Sequence, residues 1–291
     1  MTTSAPLRRE AEGLAAPLPG LLAEARQLAA TVQMGTHGRR RAGVGDEFWQ
    51  YRPAMDHDEA RRIDWRRSAR SDQHFLREME WQATQSVHLW VDPAQSMDFS
   101  SLADLPAKAH RARVLALATA ILLERAGERV GLADGLTPPR AGAAQLTRIA
   151  AALTQGQGAA DYGAPASGAL VSGARVLLLS DFFGAADAVE AMVYAAADRG
   201  ISGALVQVLD PAEVDFPFAG RAIFESMGGT LRHETKEAAS LRDRYRRRLA
   251  DRQDRLARLA RLTGWHWTVH CTDAAAAQAL LWICGAIGQR S

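Results

Sequence analysis

Residues 86–92 read SVHLWVD and residues 175–181 read RVLLLSD, two short apolar runs that each finish on an aspartate. An apolar run without polar alternation describes a strand buried on both faces, as parallel sheets require. ALVQVLD (204–210) has the same form, and WHWTVHC (265–271) a looser one. Helical stretches separate them: 104–126, Ala/Leu-rich and closed by Gly127; 144–154; 185–198, closed by Gly200; 236–262; and 273–288. RVGLAD (129–134) adds a short strand, TPPR (137–140) a turn, and RAIFES (221–226) a short segment after a Pro/Phe turn. Residues 155–169, rich in Gly, Ala, Pro and Ser, read as a loop. Strand alternating with helix predicts an α/β fold, a mostly parallel sheet with helices on both faces. Such sheets take their ligands at the carboxyl ends of the strands. Asp92, with Ser96 four residues on, and Asp181 are therefore the first candidate site residues.

Upstream, residues 20–33 (GLLAEARQLAATVQ) repeat apolar positions at helical spacing. From Gly35 to about Ser71 the pattern is irregular, with Gly35, Gly38, Gly43 and Gly45 marking turns. HFLREMEW (74–81) reads as a short extended lead into the sheet. The expected organisation is a helical and irregular lead-in over residues 1–84, followed by the α/β domain over residues 85–291.

The chain has 291 residues, of which 47% are hydrophobic and 23% charged, enough for a packed core. A net charge of +2 gives no general drive toward nucleic acid or anionic membrane. The two cysteines, Cys271 and Cys284, have no metal-ligand spacing and fit a reducing cytoplasm. Prolines and charges interrupt the first 25 residues, so no secretory signal is expected. The longest apolar runs, 114–123 and 279–287, fall short of the ~20 residues of a membrane span.

Residues 34–81 carry a series of landmarks in order: Gly35-Thr36-His37, Gly43-Val44-Gly45-Asp46-Glu47-Phe48, Arg52, Arg61-Arg62-Ile63-Asp64-Trp65, Ser68-Ala69-Arg70, Arg77-Glu78 and Glu80. This block resembles the domain-of-unknown-function 58 family, found in bacterial operons with MoxR-type AAA+ ATPases. The resemblance implies a von Willebrand factor A-like Rossmannoid domain after the block, with DPAQSM (92–97) where that domain carries its DxSxSM metal-ion-dependent adhesion signature. It implies a structural or partner-facing role for His37, Glu47, Arg52, Arg61, Asp64, Trp65, Arg70 and Glu80, and a Mg²⁺ ion on the rim. The chain departs from the family at Ala54 to Glu59, at Arg39, and above all at Ala94, which stands in place of the signature's first serine. Mg²⁺ requires a near-octahedral oxygen shell, and alanine supplies no oxygen. Two readings stay open: Asp92, Ser96 and Asp181 form a weak, water-rich site, with Thr154 and Asp161 the nearest second-loop donors, or the two aspartates cap following helices.

Rival chemistries find little support. An Asp-nucleophile, Mg-dependent phosphohydrolase needs an acid two residues after Asp92, where Ala94 stands. Neither of the chain's two lysines, Lys108 and Lys236, is placed for it. Gly43-Val44-Gly45 lacks a strand-to-helix context for phosphate. His57 between Asp56 and Asp58 reads as a solvated acidic turn. The stretch 241–261 holds nine arginines and reads as a solvated helix laced by Asp243, Asp251 and Asp254, with an acidic-partner or nucleic-acid surface as alternatives. The charges of the 34–81 block suit an internal salt-bridge network, with Trp49 and Trp65 as apolar anchors. The function expected is a non-enzymatic protein-interaction module or adaptor with a degenerate adhesion site, partnered through the family resemblance with a MoxR-type AAA+ ATPase in chaperone-like assembly.

Overall fold

The computed structural model describes residues 17–32, 40–43, 47–55, 58–59, 61, 63–70, 73–82, 84–155, 158 and 160–288. The chain divides into two compact units, residues 36–84 and residues 1–35 with 85–291. Helix α1 (Pro17–Ala30) thus groups with the larger unit. This differs from the single lead-in over residues 1–84 expected from the sequence.

The smaller unit is a three-stranded antiparallel sheet of β1 (Arg40–Gly43), β2 (Glu47–Pro53) and β3 (Phe75–Gln82), in the order β1-β3-β2, with a one-turn helix α2 (Trp65–Ser68) between β2 and β3. The expectation of irregular chain over residues 35–71 is corrected here. RRAG does not alternate apolar and polar residues, and EFWQYRP alternates only from Trp49 onward, too short a run to be read as a strand. The register slips between Phe48 and Gln50, a bulge that breaks the alternation further.

The larger unit follows the predicted rhythm: β4 (Ser86–Val91), α3 (Lys108–Arg125), β5 (Arg129–Leu132), α4 (Ala143–Gln155), β6 (Arg175–Ser180), α5 (Ala186–Ala197), β7 (Ser202–Leu209), α6 (Pro211–Asp215), β8 (Ala222–Glu225), β9 (Arg232–Thr235), α7 (Arg242–Thr263), β10 (His266–Cys271) and α8 (Ala276–Gly288). The parallel sheet runs β10-β7-β6-β4-β5. Alternate residues of β6 face opposite layers. Leu177 and Leu179 join the core under α1, α3, α4 and α8, while Val176 and Leu178 join the core under α5 and α7. Every residue of β6 is buried, which explains its unbroken apolar run.

From β4 the chain moves outward to β5, then crosses back to β6 and on to β7 and β10. The strand order therefore reverses between β4 and β6, and a crevice opens at such a switch point beyond the carboxyl ends. Past β7 the structure adds a ribbon not read from the sequence: β8 and β9 pair antiparallel, and α7 starts at Arg242 after a 3₁₀ turn rather than at residue 236. Among the described residues no helix is long and apolar enough to cross a membrane.

Candidate functional site

β4 and β6 are neighbours, with Val91 opposite Leu179, and the Asp92 amide extends the ladder by donating to the Leu179 carbonyl at 2.9 Å. Asp92 and Asp181 thus leave adjacent strands at the switch point, as the sequence implied, and both are buried. Neither caps a helix. Asp92 Oδ1 accepts from the Ala94 amide at 2.9 Å, and Asp181 Oδ1 accepts from the Phe183 amide at 2.9 Å, so each closes a local turn. The helix that follows Asp181 starts after Ala185 and has no side-chain cap.

Asp92 is held from further sides. Its Oδ2 accepts from Ser180 Oγ at 2.6 Å. Gly163 presses against the carboxylate so closely that any Cβ there would collide with Oδ1. Burial pushes the Asp92 pKa above the carboxylate range, opposed by the Ser180 and Ala94 hydrogen bonds. The chain after Asp181 is strained: Phe182 sits at φ 53°, a region bulky residues avoid, with its amide donating to Ser180 Oγ at 2.8 Å.

The decisive residue is one of the two lysines that the sequence does not place near these aspartates, and the structure corrects this. Lys108, first residue of α3, is wholly buried and reaches the rim, donating from Nζ to Asp181 Oδ2 at 2.9 Å and to Glu213 Oε1 at 2.5 Å. Burial works against the ammonium, but the two carboxylates outweigh it and hold the Lys108 pKa above the ordinary lysine value. The rings of Phe183 and Phe99 lie 5.2 and 5.9 Å from Nζ. Glu213 completes a capping box with Asp210 at the start of α6, and Asp210 Oδ2 accepts from the Ser101 amide at 2.9 Å. One ammonium thereby ties the ends of β6 and β7 to the start of α3. The signal in the sequence was rarity, since the chain holds two lysines against thirty-three arginines.

The Mg²⁺ ion that the resemblance implied does not fit these donors. Ala94 offers no oxygen, Asp92 accepts from Ser180 and Ala94, and Asp181 is taken by Lys108. Thr154 turns away, its hydroxyl donating to Ala151 inside α4 at 2.8 Å. Asp161 faces the β8–β9 ribbon, accepting from Ser226 Oγ at 2.8 Å and from Thr230 Oγ1. Of Asp92, Ser96 and Asp181, only Ser96 keeps its side-chain oxygen without a partner, and Gln95 Oε1 and Asp161 Oδ1 are also buried without one. A divalent ion about 5 Å from the Lys108 ammonium would meet roughly 7 kcal/mol of repulsion at an effective dielectric near 20. A neutral hydroxyl, an amide oxygen and one oxygen of a carboxylate already bonded to Ser226 do not offset that. Among the described residues no three His, Cys, Asp or Glu are grouped to share an ion.

Other chemistry at this rim is equally short of parts. A cavity of about 150 Å³ opens between the ends of β4 and β5, lined by Trp90, Asp92, Arg113, Asp134 and Leu153 among others. That is well under the ~300 Å³ at which small-molecule sites begin. Burial pushes the Cys271 thiol to about 12 and the Cys284 thiol to about 11, so neither is a nucleophile at neutral pH.

The sequence profile described as "Protein of unknown function DUF58" matches residues 50–255. The chain belongs to this family. The DUF58 match runs from β2 to α7 and takes in Asp92, Lys108, Asp181 and Glu213. None of the curated proteins compared matches the chain. Among solved structures, the conserved hypothetical protein BatB from Bacteroides thetaiotaomicron is 14% identical, with a TM-score of 0.35, covering 70% of this chain and 98% of that one.

Of the DUF58 block residues, His37 lies outside the described residues, as does the His57 turn. The register of the smaller sheet sets Glu47 opposite Glu80 and Arg52 opposite Leu76. Asp64 caps α2 through the Arg67 amide at 3.0 Å and receives the Tyr51 hydroxyl at 3.1 Å. Arg61 and Glu59 pair at 2.6 Å with both side chains largely in solvent, and Arg70 is exposed. Trp65 is 58% exposed, its ring edge-on to His74. The expected Trp65 anchor is thus corrected to a surface ring. The Arg61 pair is of the exposed kind that contributes little.

The arginine helix also differs from its reading. Arg242 donates to the Phe216 and Phe218 carbonyls, Arg246 to Asp215, and Arg252 to Phe183 and Gly184. Arg255 grips Asp187 and Glu190 on α5 rather than an aspartate of its own helix. Three of the nine arginines thus clamp neighbouring loops, and a fourth ties the helix to α5.

Proposed function

We propose that this DUF58 protein is a non-enzymatic interaction module, an adaptor that docks a protein partner at the carboxyl rim of its parallel sheet. The observation that carries this reading is the use made of the rim carboxylates. Asp92 and Asp181 are buried and bonded to Ser180, Ala94, Phe183 and Lys108. General acid–base or nucleophilic work needs a group within reach of substrate with a proton to give or take. These groups are instead committed to holding the loops. The strain at Phe182 and the tethered β8–β9 ribbon then serve to present a fixed surface. Ile223, Met227 and Leu231 stand exposed on that ribbon.

We read the larger unit as a von Willebrand factor A-like domain whose adhesion site is degenerate. A MoxR-type AAA+ ATPase is its partner in the assembly or maturation of a protein complex, and a cytoplasmic setting belongs to the same reading. The partner rests on the family resemblance, and function does not follow from fold alone. Capture of such an ATPase on the immobilised protein, in EDTA and in Mg²⁺, is the test. Equal capture in both supports a docking that needs no ion. No capture in either would remove this partner, and a turnover lost on changing Asp92 or Asp181 would remove the non-enzymatic reading.

A further inference from the structure

We infer that the Lys108 ammonium is the rim's own cation, tethered to α3 between Asp181 and Glu213, and that it makes divalent ions unable to bind or switch this site. The inference deepens the docking reading, since it removes a bound ion as the regulator of the surface. The measurement below needs no partner. Its failure would therefore leave the docking reading standing, and a failed capture would leave this inference standing.

Four observations converge on it. The first is choice of residue. In a chain that uses arginine almost everywhere, a compact ammonium stands at this point. A planar guanidinium presents a wide fork, whereas an ammonium is a near-spherical charge with three donors, closer in shape to a metal ion. The second is position. Lys108 opens α3, where the helix dipole disfavours a cation and neither a side-chain cap nor an acidic residue offsets it. A cation accepted against that field has its reason outside the helix, in the carboxylates it meets. The third is enclosure, because the side chain is wholly buried and two aromatic faces lie within 6 Å of Nζ. The fourth is connectivity. Asp181 follows β6 and Glu213 lies just past β7, and both bind one charge, as loops bind an ion that cross-links them. Asp92 lies near enough that the Lys108 charge opposes the upward push of burial on its carboxyl.

If the ammonium stands in for an ion, deleting it opens a site. Lys108→Ala leaves the buried Asp181 and the part-buried Glu213 carboxylates facing a gap that water or a cation can enter. The experiment is thermal unfolding in EDTA and in millimolar MnCl₂, with Mn²⁺ chosen because oxygen donors suit it. The wild-type midpoint moves by less than about 1 °C between the two media, on a scale where ~1 kcal/mol shifts a domain of this size by 2–4 °C. The Lys108→Ala midpoint drops on the order of 10 °C in EDTA and recovers in part with MnCl₂. Adding Glu213→Gln to that variant cancels the recovery. Wild-type stabilisation by Mn²⁺, or a folded Lys108→Ala protein indifferent to it, would overturn the inference. Should Lys108→Ala fail to fold, the wild type alone decides by NMR. Unbroadened amide signals from Ser96 and Phe183 in MnCl₂ support the tethered cation, and paramagnetic broadening there refutes it.

Discussion

Lysine and arginine carry the same charge in different shapes, and position 108 separates them. Its ammonium sits between two carboxylates with no solvent contact. Lys108→Met strands those carboxylates in the interior and should cost about 3–5 kcal/mol of unfolding free energy, the usual penalty for breaking a buried pair. Lys108→Arg keeps the charge but adds volume to a closed space, and about 1–3 kcal/mol is expected from overpacking. Urea unfolding measures both. Equal stability of the Arg variant and the wild type would mean that charge alone is needed.

Two buried titratable groups set opposite pH slopes. Asp92 has a folded pKa raised by burial, so its contribution is complete below the unfolded value near 4 and is lost as pH rises through the folded one. Asp92→Asn, which can still accept from Ala94, should gain stability relative to the wild type as pH rises from about 4 toward neutrality. His270 runs the other way. Burial and the nearby Arg111 charge push its pKa down to about 4, so its contribution is present above the unfolded value near 6.5 and is lost as pH falls toward 4. His270→Phe should flatten the acid side of the stability profile by roughly 2–3 kcal/mol. Unfolding free energies across this range read both slopes. Parallel profiles for variant and wild type would contradict the assignment.

At the scale of elements, α7 is a clamp whose arginines divide into two groups. Arg252 donates to the Phe183 and Gly184 carbonyls and so steadies the strained turn after Asp181. Arg252→Met should cost about 1.5–3 kcal/mol, the range for hydrogen bonds to a charged group. Arg244→Ala, on an exposed position of the same helix, should stay within about 0.5 kcal/mol. The β8–β9 ribbon depends on a different tie, the Asp161 carboxylate that accepts from Ser226 and Thr230. Asp161→Ala should speed amide exchange over residues 222–235 while β4, β6 and β7 keep their protection. Unchanged exchange in the ribbon would show that another contact holds it.

What could be read in the sequence differed element by element. β4, β6 and β7 were legible because both faces of a central strand are covered, and that demand writes itself as a continuous apolar run. β1 and β2 were not, since RRAG carries no alternation and the bulge at Phe48 to Gln50 cuts the alternation of EFWQYRP to residues 49–53. The rim aspartates were found from the strand endings. Their counter-ion was missed because Asp181 and Glu213 lie 73 and 105 residues from Lys108, beyond any local pattern. Only the scarcity of lysine pointed to it.

Over the whole molecule, the β4–β6 switch point brings Asp92 and Asp181 together, and the reach of α3 puts a permanent positive charge between the rim and its acidic lining. The fold thus builds the crevice where α/β sheets usually hold a ligand and fills its charge requirement from within. Presentation of a surface is the use we propose for such a rim. The most direct measurement is a crystal structure of the wild-type protein grown in MnCl₂, with an anomalous difference map recorded at the manganese edge. The account predicts Lys108 Nζ hydrogen-bonded to Asp181 and Glu213, with no anomalous peak beside Asp92, Ser96 or Asp181. A manganese ion bound there, with Lys108 turned aside, would contradict it.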